Sequence, residues 1–279
     1  MLYHRLRLRR FGGEGDILTS RPLGLAHLSA IDLAPHDLID LAASAGYSSV
    51  ALRLHSAAPG TPVYPLSPGT GEAHALKEHG RRRGVRVSEV ELVPITEDLR
   101  IADLQPLLEV ADELGARGLI VTGDIADEAL LVERFRSLCQ DAANHGLLVH
   151  LEFMRWRDVG TLPAAQQVVE RSGQDNARIL IDLLHLVRSG STVKDLAAVP
   201  GELISLVQIC DARAELEGDI IAEARGGRLM PYAGALPIDA LLSSLGPDVD
   251  WAVELPGMGE GDLRRGALEK AARLLRTPG

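Results

Sequence analysis

Eight times between Leu23 and Leu275 a short apolar run gives way to an amphipathic stretch, and several of those stretches close on glycine, as at Gly46, Gly84 and Gly146. The runs fall at residues 23–26, 49–52, 85–93, 119–121, 147–151, 179–181, 203–210 and 251–255. They are apolar on both faces, which suits strands buried on both sides. Apolar runs alternating with helical patterns require a parallel sheet covered by helices. Helices are expected from Pro35 to the stop at Gly46, then over 72–83, 104–114, 127–145, 164–171, 193–198, 238–245 and 263–275. Eight such units favour closure into a (β/α)8 TIM barrel, an α/β fold, over an open sheet. The 279 residues suit one barrel of about 250 residues plus decoration. No G-x-G-x-x-G follows the first run, which weakens a dinucleotide-binding reading. The units share no internal motif, so the chain is not a solenoid.

The barrel domain is expected over residues 21–279. Residues 1–20, with Arg5, Arg7, Arg9 and Arg10 set among apolar residues, read as a tail or arm outside the core. They hold no apolar core of the kind a secretory signal needs. Connections 54–71 and 211–236 are too long for plain turns and are expected to be functional. The formal net charge of −10 argues against a nucleic-acid partner. No apolar run reaches the roughly 18 residues of a membrane span. Two cysteines, Cys139 and Cys210, give neither a disulfide framework nor zinc spacing, and point to a reducing, cytoplasmic setting.

In such a barrel the chemistry sits at the C-terminal ends of the strands. Those ends carry His27, then Arg53 with His55, Glu89 with Glu91, Asp124, Glu152, Asp182 with His185, Gln208 with Asp211, and Glu254. Glu89 and Glu91, flanking Val90, are expected to face opposite ways. A lone strand-end acid is more often an ion-pair or cap partner. Strands five to eight, however, each deliver an oxygen donor at an equivalent point: Glu152, Asp182, Gln208 and Glu254. Three uncompensated carboxylates at one mouth would raise one another's pKa, and a divalent cation removes that conflict. His27 and His55 read equally as pocket residues or as partners of a neighbouring loop. Phe153, Met154 and Trp156 read as a packed wall, or as an apolar surface against sugar C–H faces.

The segments H-L-E-F-M-R-W (150–156), I-D-L-L-H-L-V-R-S-G (181–190), V-Q-I-C-D-A-R (207–213), R-L-M-P-Y-A-G-A-L-P-I (228–238) and V-E-L-P (253–256), in this order and spacing, resemble the xylose-isomerase-like TIM barrels. These include sugar isomerases, ketose 3-epimerases, inosose and dehydroshikimate dehydratases and apurinic endonucleases. The resemblance covers residues 23–275. It implies that Glu152, Asp182, Gln208 and Glu254 bind one Mn²⁺ or Mg²⁺. It also implies that Glu152 and Glu254 remove and return the proton α to a substrate carbonyl, through a metal-held enediolate. His185 would touch a substrate oxygen. Trp156 would line the substrate site, and Arg188, Arg213 and Arg228 are candidates for substrate contacts or, equally, ion pairs. Homodimers or homotetramers are common among resembling proteins.

Two departures bear on the reaction. The epimerases usually place His where Gln208 stands; an amide oxygen makes the donor set all-oxygen and favours Mg²⁺ or Mn²⁺ over Zn²⁺. Gln there also resembles some dehydratases, yet some of those have His where this chain has Met154. The endonucleases need a trinuclear zinc site rich in His, which this chain lacks. The expectation is therefore a metal-dependent isomerase or epimerase of a small sugar-like keto-polyol. A dehydratase of a cyclic keto-polyol or keto acid is the first alternative, and a non-catalytic accessory barrel the second.

Overall fold

A computed structural model describes residues 21–276; the expected tail at residues 1–20 lies outside the described residues. Eight parallel strands close on themselves in sequence order: β1 (Leu23–Leu25), β2 (Ser49–Arg53), β3 (Arg86–Thr96), β4 (Gly118–Asp124), β5 (Leu148–Glu152), β6 (Ala177–Asp182), β7 (Ile204–Ile209) and β8 (Asp250–Val253), with β8 paired to β1. Around them run α1 (Pro35–Ser44), α2 (Glu72–Arg83), α3 (Gln105–Leu114), α4 (Glu128–Ala143), α5 (Leu162–Ser172), α6 (Leu183–Arg188), α7 (Val193–Ala197), α8 (Ile220–Ala222), α9 (Ile238–Ser243) and α10 (Gly261–Arg276). None of these helices is long and apolar enough to cross a membrane.

The alternation of each strand divides the core in two. Outward residues such as Ile179, Ile181, Val207, Ile209 and Val253 pack with the helices in one large apolar cluster. Leu92, Ile120, Met154, Leu180, Leu206 and Ala252 form a separate, smaller cluster. Leu180, Leu206 and Ala252 each precede a polar residue by two places, namely Asp182, Gln208 and Glu254. Residues two apart share a strand face, so Leu180, Leu206 and Ala252 fill the barrel below these polar residues and form their floor.

Helix starts follow ordinary capping physics. The Asp127 carboxylate accepts from the N–H groups of Ala129 and Leu130, and the Thr161 hydroxyl from that of Ala164. The helix expected near 193–198 is α7. The structure adds α6, which starts directly at Asp182: the Asp182 carboxylate accepts from the His185 N–H at 3.0 Å and so caps the helix. The expectation for Glu89 and Glu91 does not hold. Both are buried, Glu91 on the cavity wall and Glu89 nearer the opposite end, where Arg86, Arg117 and Asp250 act on it. Residues two apart on a strand point the same way, whatever stands between them.

Candidate active site

A cavity of about 310 Å³ opens at the C-terminal ends of the strands. Its apolar lining includes Leu92, Ile120 and Met154, and its polar lining Glu91, Glu152, Gln208 and Glu254. Both long connections reach it, 54–71 through Ala57, Gly60, Thr61 and Pro62, and 211–236 through Ala224, Arg225 and Arg228.

The structure brings the strand-five and strand-six acids together. One ligand atom each from Glu152, Asp182 and His185 lies within 4.8 Å of the others, and all three residues are buried. His185 Nε2 stands 3.7 Å from Glu152 Oε1, and the Trp156 ring meets the His185 ring edge-on with centroids 5.0 Å apart. Asp182 and Gln208 face each other across the β6–β7 pair. Gln208 Oε1 is buried without a hydrogen-bond partner. A buried acceptor left empty costs about 1–3 kcal/mol unless something meets it.

Glu254 and Asp182 share a cation from the chain itself. Arg228 donates through Nη1 to Asp182 Oδ2 at 2.5 Å, and its Nη2 lies 2.6 Å from Glu254 Oε2. Its Nε donates to the Ala224 carbonyl at 2.9 Å, and Nη1 also approaches Cys210 Sγ at 3.3 Å. The Arg228 side chain is only 1% exposed.

Charge at this mouth is unbalanced. Burial, with the negative charge of Glu254 and Asp182, raises the Glu152 pKa well above the usual carboxylate range. Burial likewise pushes Glu254 up to about 8, against the pull of Arg228. Burial alone would raise Asp182, but Arg228 and His185 outweigh it and hold that carboxyl low. His185 is kept neutral, lowered to about 4 by burial. Three carboxylates and an unpartnered amide oxygen are the donor chemistry of a hard divalent cation, so the residues fit one.

Other expected residues lie elsewhere. His27 Nδ1 accepts from the Arg53 N–H at 2.8 Å, so the proton sits on Nε2, which donates to the Leu33 carbonyl at 2.9 Å. Stacked on Tyr64 at 5.2 Å, it supports the wall without lining the cavity. His55 turns to the Leu92 carbonyl and also stays off the wall. Arg188 is buried outside the cavity in a two-point ion pair with Glu223, at 2.8 and 2.7 Å. Arg213 is exposed and pairs with Glu217, four residues on in the same connection.

The structure adds cavity residues given no role from the sequence. Arg53 and Glu91 form a buried ion pair of 3.1 Å on the wall. Arg157 also lines the cavity and holds Asp124 at 2.8 Å. Arg225 is exposed on the wall and, among the described residues, makes no ion pair. Arg53 and Glu91 stood at strand ends, and their opposite charges were a usable signal. Arg225, inside a long connection, gave none.

Fold and site together define a barrel of the class that gathers polar chemistry at the strand C-termini. The chain belongs to the xylose isomerase-like TIM barrel family, whose profile matches residues 39–277. It is 30% identical over 141 residues to a 3-dehydroshikimate dehydratase of Pseudomonas aeruginosa, a match covering 48% of this chain and 22% of that protein. It is 25% identical over 155 residues to an inosose isomerase of Halalkalibacterium halodurans, covering 52% of this chain and 54% of the relative. The matches therefore span about a fifth of the first relative and little more than half of the second. Among solved structures, the IolI protein with a bound zinc atom aligns over 90% of this chain and 95% of its own, with a TM-score of 0.72 at 18% identity. Isomerases, epimerases and dehydratases all occur among the similar proteins.

Proposed function

We propose that the protein is a divalent-metal-dependent isomerase or epimerase of a small sugar-like keto-polyol. The observation that carries this reading is the arrival of Glu152 and Glu254, from strands three places apart, on one cavity wall with Asp182 and Gln208 between them in strand order. Glu152, Asp182, Gln208 and Glu254 would hold Mn²⁺ or Mg²⁺. When bound, such a cation polarises the substrate carbonyl and stabilises the charge that grows on its oxygen.

The chain's own groups do the rest. One of Glu152 and Glu254 removes the proton α to the carbonyl, and the other returns it to the adjacent carbon or the opposite face. Neutral His185, braced by Trp156, offers Nε2 beside Glu152 to a substrate hydroxyl. Met154, Leu92 and Ile120 give the sugar an apolar surface and exclude water from the reacting carbon.

A second reading has its own support. Unpaired Arg225 on the wall suits an anionic substituent, and the stretch related to a 3-dehydroshikimate dehydratase covers nearly half of this chain. A keto acid losing water after the same α-proton abstraction is that reading.

Incubation of the Mn²⁺-supplemented protein in D₂O with ketoses, cyclic keto-polyols and cyclic keto acids separates the two. The isomerase reading predicts one deuterium at the α carbon and no lost water. Glu254→Gln is expected to lower that exchange by about 10²–10⁴-fold while leaving the circular dichroism spectrum unchanged. A product lighter by one water selects the dehydratase. Full exchange in the variant removes Glu254 from proton transfer.

A further inference from the structure

Arg228 is the least expected feature of the mouth. Its guanidinium takes one oxygen from Asp182 and one from Glu254, two of the residues that would hold the cation. Arg228 is on the cavity wall, whereas Asp182 is fully buried and does not line it. A divalent ion arriving from the cavity meets the guanidinium on the wall, beside the carboxylates it holds. Two cations crowded on the same two carboxylates repel, so the ion and Arg228 weaken each other's contacts there.

The backbone beside Arg228 is fixed. Leu229 and Asp211 exchange hydrogen bonds, Leu229 N–H to the Asp211 carbonyl at 2.7 Å and Asp211 N–H to the Leu229 carbonyl at 2.8 Å. The Asp211 carboxylate accepts from the N–H groups of Ala212, Gly234 and Leu236 at 2.7–2.9 Å, pinning the other end of the connection. Arg228 therefore changes partners by rotating its side chain. Beside it, the cavity offers room for the guanidinium.

We propose that Arg228 is a tethered competitor of the metal. Without metal it neutralises Asp182 and Glu254 and holds the acid mouth closed; metal entry displaces it toward the cavity. Tethering gives the guanidinium a high effective concentration, so the mouth rejects weakly bound or scarce cations. This inference rests on the metal-dependent reading of the site.

Isothermal titration of metal-stripped protein with MnCl₂ tests it, using the wild-type chain, Arg228→Met and Arg228→Lys. Arg228→Met is expected to bind Mn²⁺ at least tenfold more tightly than wild type. Arg228→Lys is expected to fall between them, because one ammonium lacks the two NH₂ arms that bridge the carboxylates. If Arg228→Met does not fold, Arg228→Lys must still bind more tightly than wild type. In the wild-type chain, saturating Mg²⁺ is expected to shift the arginine ¹⁵Nε resonance that Arg228→Lys removes. Equal or weaker binding by the variants, or an unmoved resonance at saturation, overturns the competition while leaving the metal site intact. Absence of Mn²⁺ binding in all three proteins overturns both.

Discussion

Glu89 lies inside the barrel, away from the cavity, and its carboxyl is pushed up to about 7 by burial. An unfolded glutamate titrates near 4.3. A folded pKa above the unfolded one means that the neutral acid is favoured by folding. The stabilisation from Glu89 is complete below pH 4 and is lost as pH rises toward 7. The difference corresponds to roughly 4 kcal/mol. Glu89→Gln is therefore expected to match wild type in urea stability near pH 4 and to exceed it by up to about 4 kcal/mol at pH 8. A pH-independent difference would show that Glu89 does not titrate there. At this scale the sequence told most where a charge ends an apolar run. Glu152, Asp182 and Glu254 were legible for that reason; the structure sets Glu152 near Asp182 and joins Asp182 to Glu254 through Arg228. Arg228 stood out only as one arginine of three, because its partners lie 46 and 26 positions away and no spacing rule joins them. His27, equally conspicuous at a strand end, turns out to brace the backbone.

The connection over 211–236 is the element on which the mouth depends. Its path is set by one side chain: Asp211 takes three backbone N–H groups at its carboxylate and pairs with Leu229 through its backbone. Close packing reinforces this, since a Cβ at Gly234 would collide with the Ala212 carbonyl oxygen. Asp211→Ala leaves buried donors without acceptors and is expected to cost about 2–4 kcal/mol in urea unfolding, with faster amide exchange over 220–230. A loss under about 0.5 kcal/mol would show that other contacts hold the connection. The length of this stretch was legible from the absence of a helical period, and both long connections do line the cavity. Its internal turns were not. The helix α6 was missed for a related reason: six residues are too few for periodicity, and the cap that starts it is the same Asp182 read as a ligand.

The whole barrel was the most legible feature, because eight strands buried on both faces cannot be written without eight apolar runs. What the alternation does not show is how charge is arranged across the mouth, which depends on side chains meeting from distant strands. Here three carboxylates, one amide oxygen and one arginine occupy a single layer above an apolar plug. The proposed chemistry requires that layer to accept one divalent ion. An anomalous difference map from crystals soaked in MnCl₂ tests it most directly. One peak per chain, bounded by Glu152, Asp182, Gln208 and Glu254 with Arg228 turned away, is the predicted result. No peak there at saturating Mn²⁺, with Arg228 still bridging Asp182 and Glu254, would contradict it.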